Sequence, residues 1–140
     1  MKRAVVLRIQ GRQSYDGQEP DVIELVTEGT MDFTAGGWDI SYEESELTGM
    51  DGVTTTFRVE PGKVTLRRTG KLRSEMVFQE GTRHESLYQL EFGALLMAVT
   101  ARQVFFDIVP DGGMIDLTYS VEIENSAAGL VEYHLDIRAK

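Results

Sequence analysis

Apolar residues recur at every second position along almost the whole chain, and helical spacing is nearly absent. Successive side chains of a β-strand point to opposite faces, so this pattern describes strands with one buried and one solvated face. Val5, Leu7 and Ile9 alternate with Val6, Arg8 and Gln10, and Trp38, Ile40 and Tyr42 alternate with Asp39, Ser41 and Glu43. The alternation is cleanest in Ile115, Leu117, Tyr119, Val121 and Ile123, and again in Val131, Tyr133, Leu135 and Ile137. The intervening Asp116, Glu122, Glu132 and His134 then face solvent, as does Glu43. Gly93 to Val109 alternates poorly and reads as strand rather than as a short helix.

Turn residues fall between the runs: Gly36-Gly37, Asp51-Gly52, Pro61-Gly62, Gly70-Lys71, Glu80-Gly81 and Asp111-Gly112-Gly113. Such residues supply the positive or fixed φ that hairpins need. Gly29 and Gly93 are candidate bend points within runs. Short strands at this spacing leave no room for crossover helices, which indicates a meander in a sandwich or barrel. The expectation is a single all-β domain over residues 1–140, an antiparallel barrel of roughly eight to ten strands.

Composition removes several function classes. With no cysteine there are no disulfides, thiolate metal sites or cysteine nucleophiles, and the chain suits a reducing compartment. A net charge of −9 opposes nucleic acid and anionic membrane as partners. No apolar run approaches the ~20 residues of a membrane helix. Arg8 cuts the first apolar stretch too early for the ~7–15 residue core of a leader, so none is expected.

Parity puts two charges on inner faces. Glu44 follows Trp38, Ile40 and Tyr42, and Arg68 follows Val64 and Leu66. An unpaired buried charge costs several kcal/mol, so each needs a counter-ion, a hydroxyl network or a route to water. Either they lie at barrel ends or pair with each other, or they form the polar floor or mouth of a ligand cavity with tyrosine hydroxyls beside them. An eight-stranded barrel can fill itself or hold one small ligand, so both stand.

Catalytic signals are sparse. No nucleophile elbow, His-Glu-x-x-His pair, phosphate loop or dinucleotide fingerprint occurs, and no catalytic residue, metal ligand or cofactor is nominated. His84 opens a strand and reads either as structural or as a base or ligand at a barrel mouth; His134 reads as a solvated surface residue. In Glu43-Glu44-Ser45-Glu46 the strand geometry turns Glu43 away from the others, as expected of a solvated strand end. The basic stretch Lys63, Arg67, Arg68, Lys71, Arg73 lacks the interleaved aromatics that stack bases.

The order of motifs resembles the YwiB-like family of small bacterial proteins. The resemblance rests on Ser41-Tyr42-Glu43-Glu44-Ser45-Glu46-Leu47-Thr48-Gly49, Gly52-Val53-Thr54-Thr55-Thr56, Leu66-Arg67-Arg68-Thr69-Gly70, Met76-Val77-Phe78-Gln79-Glu80-Gly81, Tyr88-Gln89-Leu90-Glu91-Phe92-Gly93, Gly112-Gly113 and Leu117-Thr118-Tyr119. It runs from Val5 to Ile137, with the Tyr-Glu-Glu-x-x-x-Leu-Thr-Gly block its most specific part. Leu90 departs from the pattern, where the family implies threonine. The resemblance implies an up-and-down calycin-type (lipocalin-like) β-barrel, a bacterial source and a cytoplasmic location, but no activity.

Three readings follow. The leading one is a non-enzymatic barrel that binds a small molecule in its interior or at its mouth, through Tyr42, Glu44, Arg68, His84, Tyr88 and Tyr119. The alternative is a self-filled barrel acting as a protein-interaction or oligomerisation module, for example a homodimer. An enzyme using Glu44, Arg68, His84 and tyrosine hydroxyls is the third. Cavity size separates the first two, and the third requires His84 and a carboxylate within hydrogen-bond reach in one cleft. Glu44 and Arg68 are expected to serve the interior together as an ion pair.

Overall fold

A computed structural model describes residues 2–15 and 18–140. Its ten strands are β1 (Lys2–Ser14), β2 (Asp21–Thr34), β3 (Gly37–Glu43), β4 (Val53–Glu60), β5 (Lys63–Gly70), β6 (Ser74–Phe78), β7 (Arg83–Leu90), β8 (Gly93–Val109), β9 (Gly112–Ile123) and β10 (Ser126–Ala139). A 3-10 turn, Glu46–Thr48, interrupts the β3–β4 connection. Among the described residues no helix is long and apolar enough to cross a membrane.

Every strand pairs antiparallel with its sequence neighbour except at one place. The spatial order is β6-β5-β4-β3-β2-β1-β10-β9-β8-β7, so β1 and β10 pair with each other and the break falls mid-chain, between β6 and β7. That gap is narrow. Arg73 and Gln89 exchange backbone hydrogen bonds across it, and Gly81 N–H donates to Ala101 O at 2.8 Å. Between these points His84 Nδ1 accepts from Val77 N–H at 3.4 Å, where a strand partner would otherwise stand. The sheet is thus a nearly closed barrel.

The inner faces hold the core that alternation predicts. Val5, Leu7, Ile40, Phe57, Val64, Phe78, Val99, Ile115 and Leu135 are fully buried, and Leu117, Tyr42, Tyr119 and Val121 are also inside. Burial of one such aliphatic side chain contributes about 1.5–3 kcal/mol. Glu43 and Glu132 are exposed, as expected. Asp116, Glu122 and His134 also lie on the outer face, half-covered by charged neighbours: Asp116 pairs with His134, and Glu122 with Arg83.

β8 alternates poorly for a local reason. A register shift between Ala101 and Gln103 changes its parity, so Val99 and Ala101 face inward before it, and Val104, Phe106 and Ile108 face inward after it. Gly29 lies inside β2, which continues past it. It sits where β1 and β3 both approach, and a Cβ there would lie 2.4 Å from Ser41 O. The close approach accounts for glycine at this position.

Candidate functional site

The barrel has two ends. The connections after β1, β3, β5, β7 and β9 cluster at one of them, and under these connections lies a cavity of about 270 Å³. Its walls combine Ile9, Leu25, Met76, Met97 and Val121 with Tyr42, Glu44, Arg68, Tyr88, Tyr119 and Tyr133. A glycine helps to open it. Gly11 continues the inward series Val5, Leu7, Ile9, and it lies opposite Ile23 and Tyr133 in the sheet. A side chain is thus missing on the inner face where the cavity begins.

The polar end is built by register. Tyr42 lies opposite Thr55, Thr55 opposite Arg68, and Arg68 opposite Ser74, one inward-facing row across β3, β4, β5 and β6. Glu44 stands just beyond β3, its N–H still bonded to Val53 O at 2.8 Å. The chain then folds back. Ser45 Oγ accepts from Leu47 N–H, Gly49 closes the turn with φ of 74°, and Thr48 returns to Glu44. The Tyr42–Gly49 sequence block is therefore a corner that seats one carboxylate.

Glu44 is 6% exposed and satisfied: Thr48 Oγ1 donates to Oε1 at 2.9 Å and Thr55 Oγ1 to Oε2 at 2.5 Å. Arg68 is not. Its guanidinium makes no hydrogen bond or ion pair to a described residue, and its Nε is buried without a partner, as is Ser74 Oγ opposite it. The expected Glu44–Arg68 ion pair is corrected here. Both charges line one cavity, but no Arg68 nitrogen lies within 4.0 Å of a Glu44 oxygen. The threonine hydroxyls take the carboxylate first.

Tyrosine hydroxyls converge on the same space. Tyr42 and Tyr133 meet at 3.4 Å between their hydroxyl oxygens. Burial pushes the Tyr42 phenol up to about 12, and burial likewise raises Tyr119 and Tyr133. The positive charge of Arg68 acts on all three in the opposite sense, which places the guanidinium near phenols from β3, β9 and β10.

Of the six residues nominated from sequence, Tyr42, Glu44, Arg68, Tyr88 and Tyr119 line the cavity. His84 does not; it is held at the β6–β7 gap by Val77 N–H. Sequence reasoning missed Gly11, Thr48 and Thr55, and placed Tyr133 in the core without assigning it to a site. The glycine at a period-two apolar position was a usable signal for the first. Among the described residues no group of three His, Asp or Glu is arranged to hold a metal ion.

Comparisons with known proteins agree with this architecture. A family model described as a domain of unknown function, DUF1934, matches residues 7–137. The chain is 24% identical over 119 residues to the uncharacterized beta-barrel protein YwiB of Bacillus subtilis (strain 168), covering 85% of this chain and 82% of the relative. The crystal structure of the ywiB protein from Bacillus subtilis superimposes with a TM-score of 0.88 at 21% identity, over 99% of this chain and 93% of that one. At that identity the likeness concerns the fold.

Proposed function

Since this chain belongs to the DUF1934 family, a family of uncharacterised β-barrel proteins, we propose that it is a non-enzymatic binding barrel holding a small molecule in the cavity at its turn-rich end. The observation that carries this reading is the about 270 Å³ space with an apolar wall and a polar floor, kept open by a glycine on an inner face. Ligand pockets combine these features, with apolar walls for affinity and a few polar groups for orientation; the volume suits a small ligand. Glycine weakens a strand, so its presence at an inward position favours the space over stability. Catalysis fits less well, because the imidazole that would serve as a base is spent at the barrel gap. The cysteine-free chain supports a cytoplasmic setting for such a carrier.

Gly11→Ile tests the proposal directly. A Cβ at Gly11 meets only the Tyr133 ring, at 3.9 Å, an ordinary contact, so the position admits a side chain on the cavity wall. Native mass spectrometry of protein purified from its own host should find a small molecule on the wild type and none on a folded Gly11→Ile variant. An empty wild type, or equal retention by both proteins, would sink the proposal.

A further inference from the structure

The guanidinium of Arg68 defines what the cavity is suited to take. Arg68 is half-buried and its Nε is buried without a protein partner, and an orphaned buried polar group calls for a physical reason. Four observations narrow the reason. Arg68 lines the cavity but bonds to no described residue. The buried anionic side chain of the same cavity, Glu44, is already occupied by Thr48 and Thr55. Ser74, directly opposite Arg68, has an unused buried hydroxyl. Tyr42 and Tyr133 bring further hydroxyls to the same space.

Resting on the binding reading above, we propose that the ligand is a small carboxylate on an apolar body, its carboxylate gripped by Arg68. The planar guanidinium fork matches a carboxylate with two parallel hydrogen bonds, and tyrosine hydroxyls donate to whatever lone pairs remain. The charge balance favours a monoanion. Arg12 and Asp21 line the cavity as well, so its four charges already balance; one negative charge suits the unpartnered Arg68, and the Glu44 and Asp21 carboxylates oppose a second, so phosphate esters are disfavoured. The apolar body lies against Ile9, Leu25, Met97 and Val121.

Benzoate and its uncharged analogue benzyl alcohol, titrated calorimetrically into the full chain, test the carboxylate and the cavity separately. Benzoate should bind the wild type at least about tenfold more tightly than benzyl alcohol, as a charge-assisted hydrogen bond implies. Arg68→Met should abolish that advantage, bringing the benzoate and benzyl alcohol affinities to within about twofold of each other. Arg68→Lys, which keeps the charge without the fork, should fall between. Equal or tighter binding of benzyl alcohol to the wild type would overturn the carboxylate while leaving the cavity reading intact, and this comparison needs no variant to fold. Undiminished benzoate binding by Arg68→Met would overturn it too. If neither probe binds, the carboxylate inference fails, and the host-purified protein decides the cavity reading on its own.

Discussion

Thr55 donates its hydroxyl hydrogen to Glu44 Oε2 over 2.5 Å, and the threonine that does so is completely buried. A carboxylate shielded from water is stabilised here by neutral donors rather than by a cation. This leaves the neighbouring cation uncommitted, and it makes the threonine a structural requirement of the polar floor.

Thr55→Val preserves shape and removes the donor. It should cost about 1–3 kcal/mol in urea unfolding, the penalty for a buried acceptor left short of a partner. Combined with Glu44→Gln in a double-mutant cycle, the two changes should couple by about 0.5–3 kcal/mol. Strictly additive, small effects would mean that the hydrogen bond contributes nothing.

His84→Leu should loosen the barrel gap, because Val77 N–H then loses its acceptor. Amide exchange at Val77 is the direct readout. It should accelerate in His84→Leu and recover in part in His84→Asn, whose side-chain carbonyl also accepts. A global cost of about 0.5–1.5 kcal/mol is expected for the leucine variant.

At high pH the inner tyrosines oppose unfolding only up to a point. Burial raises the Tyr42 phenol to about 12, above the ~10 of an unfolded chain. A raised pKa stabilises the fold fully below about pH 10, and that contribution is lost as pH climbs toward 12. Phenolate absorbance from the buried tyrosines should therefore appear together with loss of near-ultraviolet dichroism. Ionisation in a still-folded barrel near pH 10 would contradict their burial.

On the outer face, His134 lies between Asp116 at Nδ1 and Asp136 at Nε2, the latter 3.1 Å away. The hydrogen bond to Asp116 is the main cause raising its pKa above the usual 6.5. The contribution to stability is then complete below about pH 6.5 and disappears as pH rises through the folded value. Asp116→Asn should lower the His134 titration midpoint seen by NMR and flatten the pH dependence of the urea midpoint in that window.

Parity made the barrel legible, because a side-chain period of two assigns each strand an inner face. It even placed Glu44 and Arg68 indoors, against their chemistry. Parity carries no information on height along the strand or on which polar atoms meet, so the Glu44–Arg68 bond was inferred where two threonine hydroxyls intervene. His84 was illegible for another reason: the gap it fills exists only once β1 and β10 have paired, which no local pattern reveals. The Glu124–Asn125 turn was missed although Asn125 carries the signal, a residue that tolerates its φ of 65°. Tyr133 read as core because an inward tyrosine and a cavity-lining tyrosine have the same spacing.

Pairing β1 with β10 also sets a timetable for synthesis. β2 follows β1 directly, but the other edge of β1 must wait until β10 has been made, after roughly a hundred further residues. At about 5–20 residues per second, that edge stays unsatisfied for roughly 5–20 s on the ribosome. An open strand edge invites pairing with other nascent chains, and charged side chains are the usual deterrent. β1 carries Lys2, Arg3, Arg8 and Arg12, all exposed, on a chain that is acidic overall. By that rule, the open edge of β1 meets other nascent chains with four like charges beside it until β10 arrives.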